Sequence, residues 1–310
     1  MKKKEFRNVL MLLAILTALS GIGYHFVKDS SLALVYIGIF YMPTPLYALA
    51  IHSVIIKENK VLKYIDYKEL NLKKIIIPIS IFIAWVTIIT GLTFVLSNLF
   101  PNIFSSIITT NEQLVLKIAE LAGSTAAENA NLPPSPLLII PLGIISSIIA
   151  GFTVNLIFGF SEEILWRGYF WDELKDKGLI KYTLITGSIW GLWHAPLIIQ
   201  GYNYGNENLL LGTFVFVIFC IIFSFAFTII KTKTKSTLLC GAFHGMFNAF
   251  AGVFLILLVN GNPFIDGPIG IISIISIILI VILFSYLYKI NNYRWKLTNE
   301  NNHSDANNKC

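Results

Sequence analysis

The chain has 310 residues, 55% of them hydrophobic and 13% charged, with a mean hydropathy of +0.72. One globular core cannot bury so much apolar surface, so lipid must solvate a large part of the chain. The formal net charge of +6 does not point to a nucleic-acid partner, because Lys and Arg lie in short clusters between apolar runs, as juxtamembrane anchors do.

The opening Lys2-Lys3-Lys4-Glu5-Phe6-Arg7, followed by the apolar Val9 to Gly23, has the layout of a secretion signal. So many apolar segments follow it that it reads instead as a retained first helix. A helix rising 1.5 Å per residue needs about 20 apolar residues to cross a hydrocarbon core about 30 Å thick. By that measure the spans are 9–27, 32–56, 75–96, 137–160 and somewhat beyond, 182–200, 209–230, 237–259 and 269–289. The expected fold is therefore an all-α polytopic transmembrane bundle of about eight spans. We divide it into N-terminal spans and a loop over 1–136, a core over 137–258, a last span with a basic flank over 259–297, and a polar, Asn-rich, disordered tail over 298–310.

Basic residues collect on the cytoplasmic side of a membrane. Eight spans put the start of the chain, the 57–74 loop, the 167–181 region, the Lys231-Thr232-Lys233-Thr234-Lys235 loop and the flank after Lys289 on that side, and only Lys28 and Lys117 opposite. Both termini are thus expected in the cytoplasm, in the plasma membrane of a prokaryote. The 97–135 connection carries Glu112, Glu120 and Glu128 and an apolar spacing at Leu114, Ile118 and Leu121, which predicts a short amphipathic helix at the outer surface. Cys220 and Cys240 fall within apolar segments, and with Cys310 they show no metal-type spacing and imply no redox role.

Ionisable groups inside a span are costly and persist where they pair or line a polar cavity. The segment from Gly159 to Trp171 places Glu162, Glu163 and Arg167 at membrane depth. Residues four apart share a helix face while neighbours diverge by about 100°. Glu163 can therefore pair with Arg167, leaving Glu162 on another face as the candidate reactive carboxylate; a purely structural charge network is the alternative. Trp190 and His194 are also four apart, with Pro196 predicted to kink the helix just beyond. His244 and Asn248 repeat the spacing and suit an oxyanion, although Asn248 is equally able to tie helices together. Counted from the charges at Asp172, Lys181 and Lys235, the three titratable groups lie about 10, 13 and 9 residues inward, roughly 13–20 Å. That shared depth favours one site, with a water-filled pocket open to the cytosol. Asn155, nearly on the face of Glu162, is placed to line the same cavity, with packing glue as the favoured reading; Gly143, Gly151 and Gly159 read as points of close helix approach; His25, His52 and His303 are expected at interfaces or in the tail.

Taken together, Glu162-Glu163-x-x-x-Arg167, Trp190-x-x-x-His194 and His244-x-x-x-Asn248 resemble the motifs of the CAAX protease and bacteriocin-processing family of intramembrane glutamate endopeptidases, over residues 137–258. Trp190 stands where that pattern usually has Phe, a change expected to keep only an aromatic packing role. The resemblance implies that Glu162 and His194 activate a water, that His244 and Asn248 hold the oxyanion, and that Glu163 and Arg167 support them. It also implies a peptide or lipidated protein substrate, either a prenylated CAAX-type protein or a bacteriocin-like peptide, and no metal. Zinc held by one Glu and two His is the less favoured alternative. A non-catalytic scaffold or bacteriocin self-immunity protein is the alternative function, and a proton-coupled transporter, lacking internal repeats, is a further one.

Overall fold

A computed structural model describes residues 2–206, 208–259 and 261–290; the expected tail and Cys310 lie outside them. The chain is an all-α membrane protein, 76% helical, and the only strand-like pairing among the described residues is a single bridge between Ile107 and Leu258. The principal helices are α1 (Lys2–His25), α2 (Ala33–Ile55, with a π turn at Ile37–Tyr41), α3 (Leu72–Leu99), α4 (Asn111–Ala122), α5 (Ile139–Phe152), α6 (Val154–Glu163), α7 (Leu179–Trp193), α8 (Leu209–Thr234), α9 (Thr237–Ile256) and α10 (Ile271–Leu287).

Five of these, α1, α2, α3, α8 and α9, are long and apolar enough to cross a membrane. The segment expected as one span over 137–160 is instead bent by 61° at Thr153, between α5 and α6, and counts as a sixth if it crosses as a unit. The 182–200 span is likewise interrupted: α7 has 15 residues and stops at Trp193, and a short helix, Ala195–Ile198, follows. Pro196 lies in the first turn of that short helix, where its missing N–H costs nothing. The last helix, α10, is apolar throughout and 17 residues long.

The expected amphipathic helix is present as α4, started by a capping box in which Thr110 and Gln113 satisfy each other's backbone N–H groups. Leu114 on it is buried, whereas Leu121 is exposed. His52, expected at an interface, is fully buried within α2.

The tightest helix pair is α6 against α9. A Cβ on Gly159 would lie 2.4 Å from the carbonyl of Gly241, and one on Gly245 would lie 2.9 Å from the backbone of Asn155. Hydrogen in place of a side chain lets the two backbones touch there, as in membrane helix pairs generally. That approach puts the end of α6, with Glu162 and Glu163, beside His244 of α9.

The two ends of the bundle are built differently. At the lysine-rich end, Asp66 from the α2–α3 loop caps α9: its carboxylate accepts from the N–H of Thr237 at 2.6 Å and of Leu238 at 3.2 Å, and from the Ser236 hydroxyl at 2.7 Å. Lys231 stands 3.8 Å from the same carboxylate. The loop is also tied to α1 through Lys60 and Glu5, and to the chain after α6 through Lys63 and Asp172 at 2.5 Å. At the other end the ties are backbone bonds and rings. Ile108 N–H donates to Leu257 O at 2.8 Å, Val259 N–H donates to Ser106 O at 3.0 Å, and Tyr204 stacks on Phe264 with ring centroids 4.8 Å apart.

Candidate active site

Glu162 closes the last α-turn of α6, and the chain continues as a π-helix over Ile164–Tyr169, a widened turn of the kind common at functional sites. The two adjacent acids diverge as the helical spacing predicts. Glu163 faces inward, with no exposure, and meets Arg167 at 3.0–3.1 Å through both carboxylate oxygens. Arg167 is completed by the Ser224 hydroxyl at 2.9 Å and by the faces of Trp190 and Phe227, whose centroids lie 4.7 and 4.1 Å from its guanidinium carbon. A buried ion pair holds only when its spare donors are satisfied and its charge is spread, and Ser224 and the two rings meet that condition. Ser224 lies on α8, outside every motif in the sequence, and only the fold brings it here.

Glu162 faces the other way, into a cavity of about 420 Å³ that it shares with Trp190, His194, His244 and Asn248. The five motif residues on α6, α7 and α9 therefore do converge. His244 bridges the two acids: Nδ1 lies 2.9 Å from Glu163 Oε1, and Nε2 lies 4.0 Å from Glu162 Oε1. A carboxylate paired with arginine accepts hydrogen bonds, so Nδ1 of His244 carries the proton and Nε2 is turned to the cavity.

His194 is oriented by its own backbone. It sits at the break after α7, where its N–H bonds back to Gly191 O at 3.1 Å, and the carbonyl of Trp190 is taken by the ring Nδ1 at 2.9 Å. A carbonyl only accepts, so the ring proton is on Nδ1 and the Nε2 lone pair is available to the cavity. Pro196, which prevents the helix from running on unbroken, is the sequence feature behind that arrangement.

Trp190 does more than pack. Its indole N–H donates to Glu162 Oε2 at 2.9 Å while its ring covers Arg167 and stands 5.5 Å, centroid to centroid, from His244. Phenylalanine can fill the space but cannot make this bond, so the residue read from sequence as a neutral exchange contributes a donor. Asn155 both lines the cavity and donates to Gly245 O at 3.2 Å, tying α6 to α9. Asn248 reaches the cavity from an exposed position.

The remaining lining is aromatic and aliphatic. Tyr41, Trp193, Phe216, Phe219, Phe223 and Phe247 surround the acid and the two imidazoles. Tyr202 also lines the cavity, and burial pushes its phenol up to about 12, so it adds no charge there. Contrary to the expectation of an opening at the lysine-rich end, the cavity extends from Glu162 away from that end, to Tyr202, Asn203, Leu255 and the Pro263–Ile269 turn. Trp190, Phe227 and the Arg167 cluster block the other direction. Among the described residues, no group of three or more His, Cys, Asp and Glu side chains is arranged to hold a metal ion.

The fold and the site thus define an integral membrane helical protein with a buried acid, two oriented imidazoles and a shielded ion pair around one cavity. The family model of the Rce1-like type II CAAX prenyl endopeptidases matches residues 137–250, which hold α5, α6, α7, α8 and most of α9. Among curated proteins, CAAX prenyl protease 2 of Methanococcus maripaludis is 43% identical over 47 residues, 15% of this chain and 17% of that relative. The resemblance read from the three motifs and the family match therefore fall on the same helices. The curated relative matches over under a fifth of its own length.

Proposed function

We propose that the chain is an intramembrane endopeptidase of the glutamate type, in which Glu162 and His194 act on a water and His244 and Asn248 receive the oxyanion. The observation that carries this reading is the pairing of two acids with different surroundings. Glu163 is consumed by Arg167 and His244, while Glu162, one residue away, meets the cavity with a single indole donor. A free acid beside a committed one is the arrangement that separates reactive from supporting carboxylates.

The roles follow from the proton positions. A water between Glu162 and the Nε2 lone pair of His194 gives up a proton as its oxygen attacks the peptide carbonyl carbon. The new oxyanion is met by the amide of Asn248 and by Nε2–H of His244. That donor exists only when His244 is doubly protonated, a state that makes the quartet of Glu162, Glu163, Arg167 and His244 electrically neutral. Collapse of the tetrahedral intermediate breaks the C–N bond, and the proton first taken from water passes to the leaving nitrogen. Residues 137–258 form the catalytic core in this reading, and the substrate classes it brings are a lipidated CAAX-type C-terminus and a bacteriocin-like peptide.

The test is cleavage of a peptide library by the purified protein. Glu162→Ala and His194→Ala are expected to lose most of the turnover, on the order of 10²–10⁴-fold, with helix content and thermal unfolding in detergent unchanged. Equal product yields from wild type and both variants would refute the assignment.

A further inference from the structure

Resting on the peptidase reading, a ring of hydrogen bonds between α2 and the end of α7 bears on how His194 is held. We propose that Tyr41 and Thr44 of α2 are positioning residues: they clasp Trp193 and so keep the free nitrogen of His194 turned to the cavity.

Two breaks in regular helix meet at this point. In α2 the π turn over Ile37–Tyr41 closes with Met42 N–H donating to Ile37 O at 2.8 Å. The carbonyl of Tyr41 cannot be served in the usual way, because the residue four further on is Pro45, which has no N–H. The hydroxyl of Thr44 donates to Tyr41 O instead, at 2.8 Å. In α7 the break does the same to the carbonyl of Trp193. The N–H of Leu197, its donor in an unbroken helix, bonds to His194 O at 3.0 Å. Tyr41 and Trp193 are both buried, and a buried acceptor left without a donor is costly.

The two breaks satisfy each other. The Tyr41 hydroxyl donates to Trp193 O at 2.5 Å, and the Trp193 indole N–H donates to Thr44 Oγ1 at 2.9 Å. With Thr44 donating to Tyr41 O, each proton in the ring has one acceptor and the direction of all three bonds is fixed. The rings of Tyr41 and Trp193 pack with centroids 5.1 Å apart, and Trp193 stands edge-on to the His194 imidazole at 4.5 Å. Because a peptide unit is planar, holding Trp193 O fixes the plane that leads into His194.

Tyr41 lines the cavity, but its proton is spent on Trp193 O, so it has none to offer an oxyanion. Thr44 is buried and does not line the cavity, so it reaches the chemistry only through Trp193. Both residues lie on a span outside the family-matched 137–250 segment. The clasp therefore gives that N-terminal span a part in the site.

Two measurements on the purified full chain test this, using the peptide that the wild type cleaves fastest. Tyr41→Phe and Thr44→Val each remove one hydroxyl from the ring and keep the bulk. Each is expected to lower kcat by about 10–100-fold with KM nearly unchanged, as misplacement of a reacting group does. Thr44→Ser, which restores the hydroxyl, is expected to recover most of the loss. The double variant is expected to lose no more than the worse single one, because either change opens the same ring. Losses that multiply would mean that Tyr41 meets the substrate directly, and they overturn the proposal, as does a kcat that neither change moves. The second readout is independent of turnover. Diethyl pyrocarbonate modifies a free imidazole nitrogen, and mass spectrometry locates the product. His194 is expected to react several times faster in Tyr41→Phe and Thr44→Val than in the wild type, with His244, tied to Glu163, unchanged. An unchanged His194 rate, or both histidines rising together as in a general loosening, overturns the clasp while leaving the peptidase reading intact. If the wild type cleaves no peptide, the peptidase reading fails, and the labelling pattern alone decides whether the clasp holds His194.

Discussion

The lysine-rich end and the opposite end of the bundle hold their helices by different physics. At the first, charged side chains do the tying: Asp66 on the start of α9, Lys63 on Asp172, Lys60 on Glu5. At the second, backbone bonds between 106–108 and 257–259 and the stack of Tyr204 on Phe264 do the same job without charge. The cavity extends toward the second. Ionic ties leave no room for an apolar channel, whereas rings and backbone bonds frame one at no electrostatic cost. The Glu163–Arg167 cluster marks the boundary between the two regimes: it is buried like the cavity but paired like the lysine-rich end.

That contrast can be broken at several points. The largest effect is expected from Glu162→Gln, which keeps the shape and the indole contact but removes the proposed base; turnover should fall by about 10²–10⁴-fold, and an active Glu162→Gln variant would move the chemistry elsewhere. Arg167→Ala removes the permanent cation from the buried Glu163 and leaves it only the His244 Nδ1–H at 2.9 Å. It should cost about 3–5 kcal/mol of stability, read as a lowered unfolding temperature in detergent, and a fully stable variant would mean that the boundary cluster is dispensable. Asn248→Ala is expected to lower kcat by about 10²–10³-fold with little change in KM, the signature of a donor used only in the transition state. Trp190→Phe sharpens the comparison further, since it keeps an aromatic ring beside Arg167 while deleting the N–H and part of the buried ring volume. A hydrogen bond to a charged group is worth about 1.5 kcal/mol or more, so a loss of roughly tenfold in turnover is expected, together with a lowered unfolding temperature from the space the smaller ring leaves. The smallest effect belongs to the lysine-rich end. Asp66→Ala removes a helix cap worth about 1 kcal/mol and should lower stability slightly while leaving catalysis close to wild type.

Much of the site could be read from the chain because helical spacing is a local property. Glu163 and Arg167 four apart form the pair that the period requires, and His194 before a Pro sits where the helix breaks. The one glycine on α6 serves close approach as its residue type suggests: Gly159 admits the backbone of α9. Less was legible where a partner lies far away in sequence. Nothing near Ser224 identified it as the third support of Arg167, and the Asp66 cap joins residues separated by some 170 positions. The donor role of Trp190 is hidden in the sequence for another reason: which way an indole N–H points depends on the neighbouring helix, and no spacing rule supplies it.

The sequence by itself determined the solvent, the helical class and the chemistry on offer, because composition and a period of 3.6 residues are properties of each segment alone. Tertiary structure decided which carboxylate is spent and which is free, where the helices bend, and which end of the bundle the cavity faces. Those outcomes depend on how closely separate helices approach and which donors meet across the gap, and the chain fixes both only when all its segments pack at once.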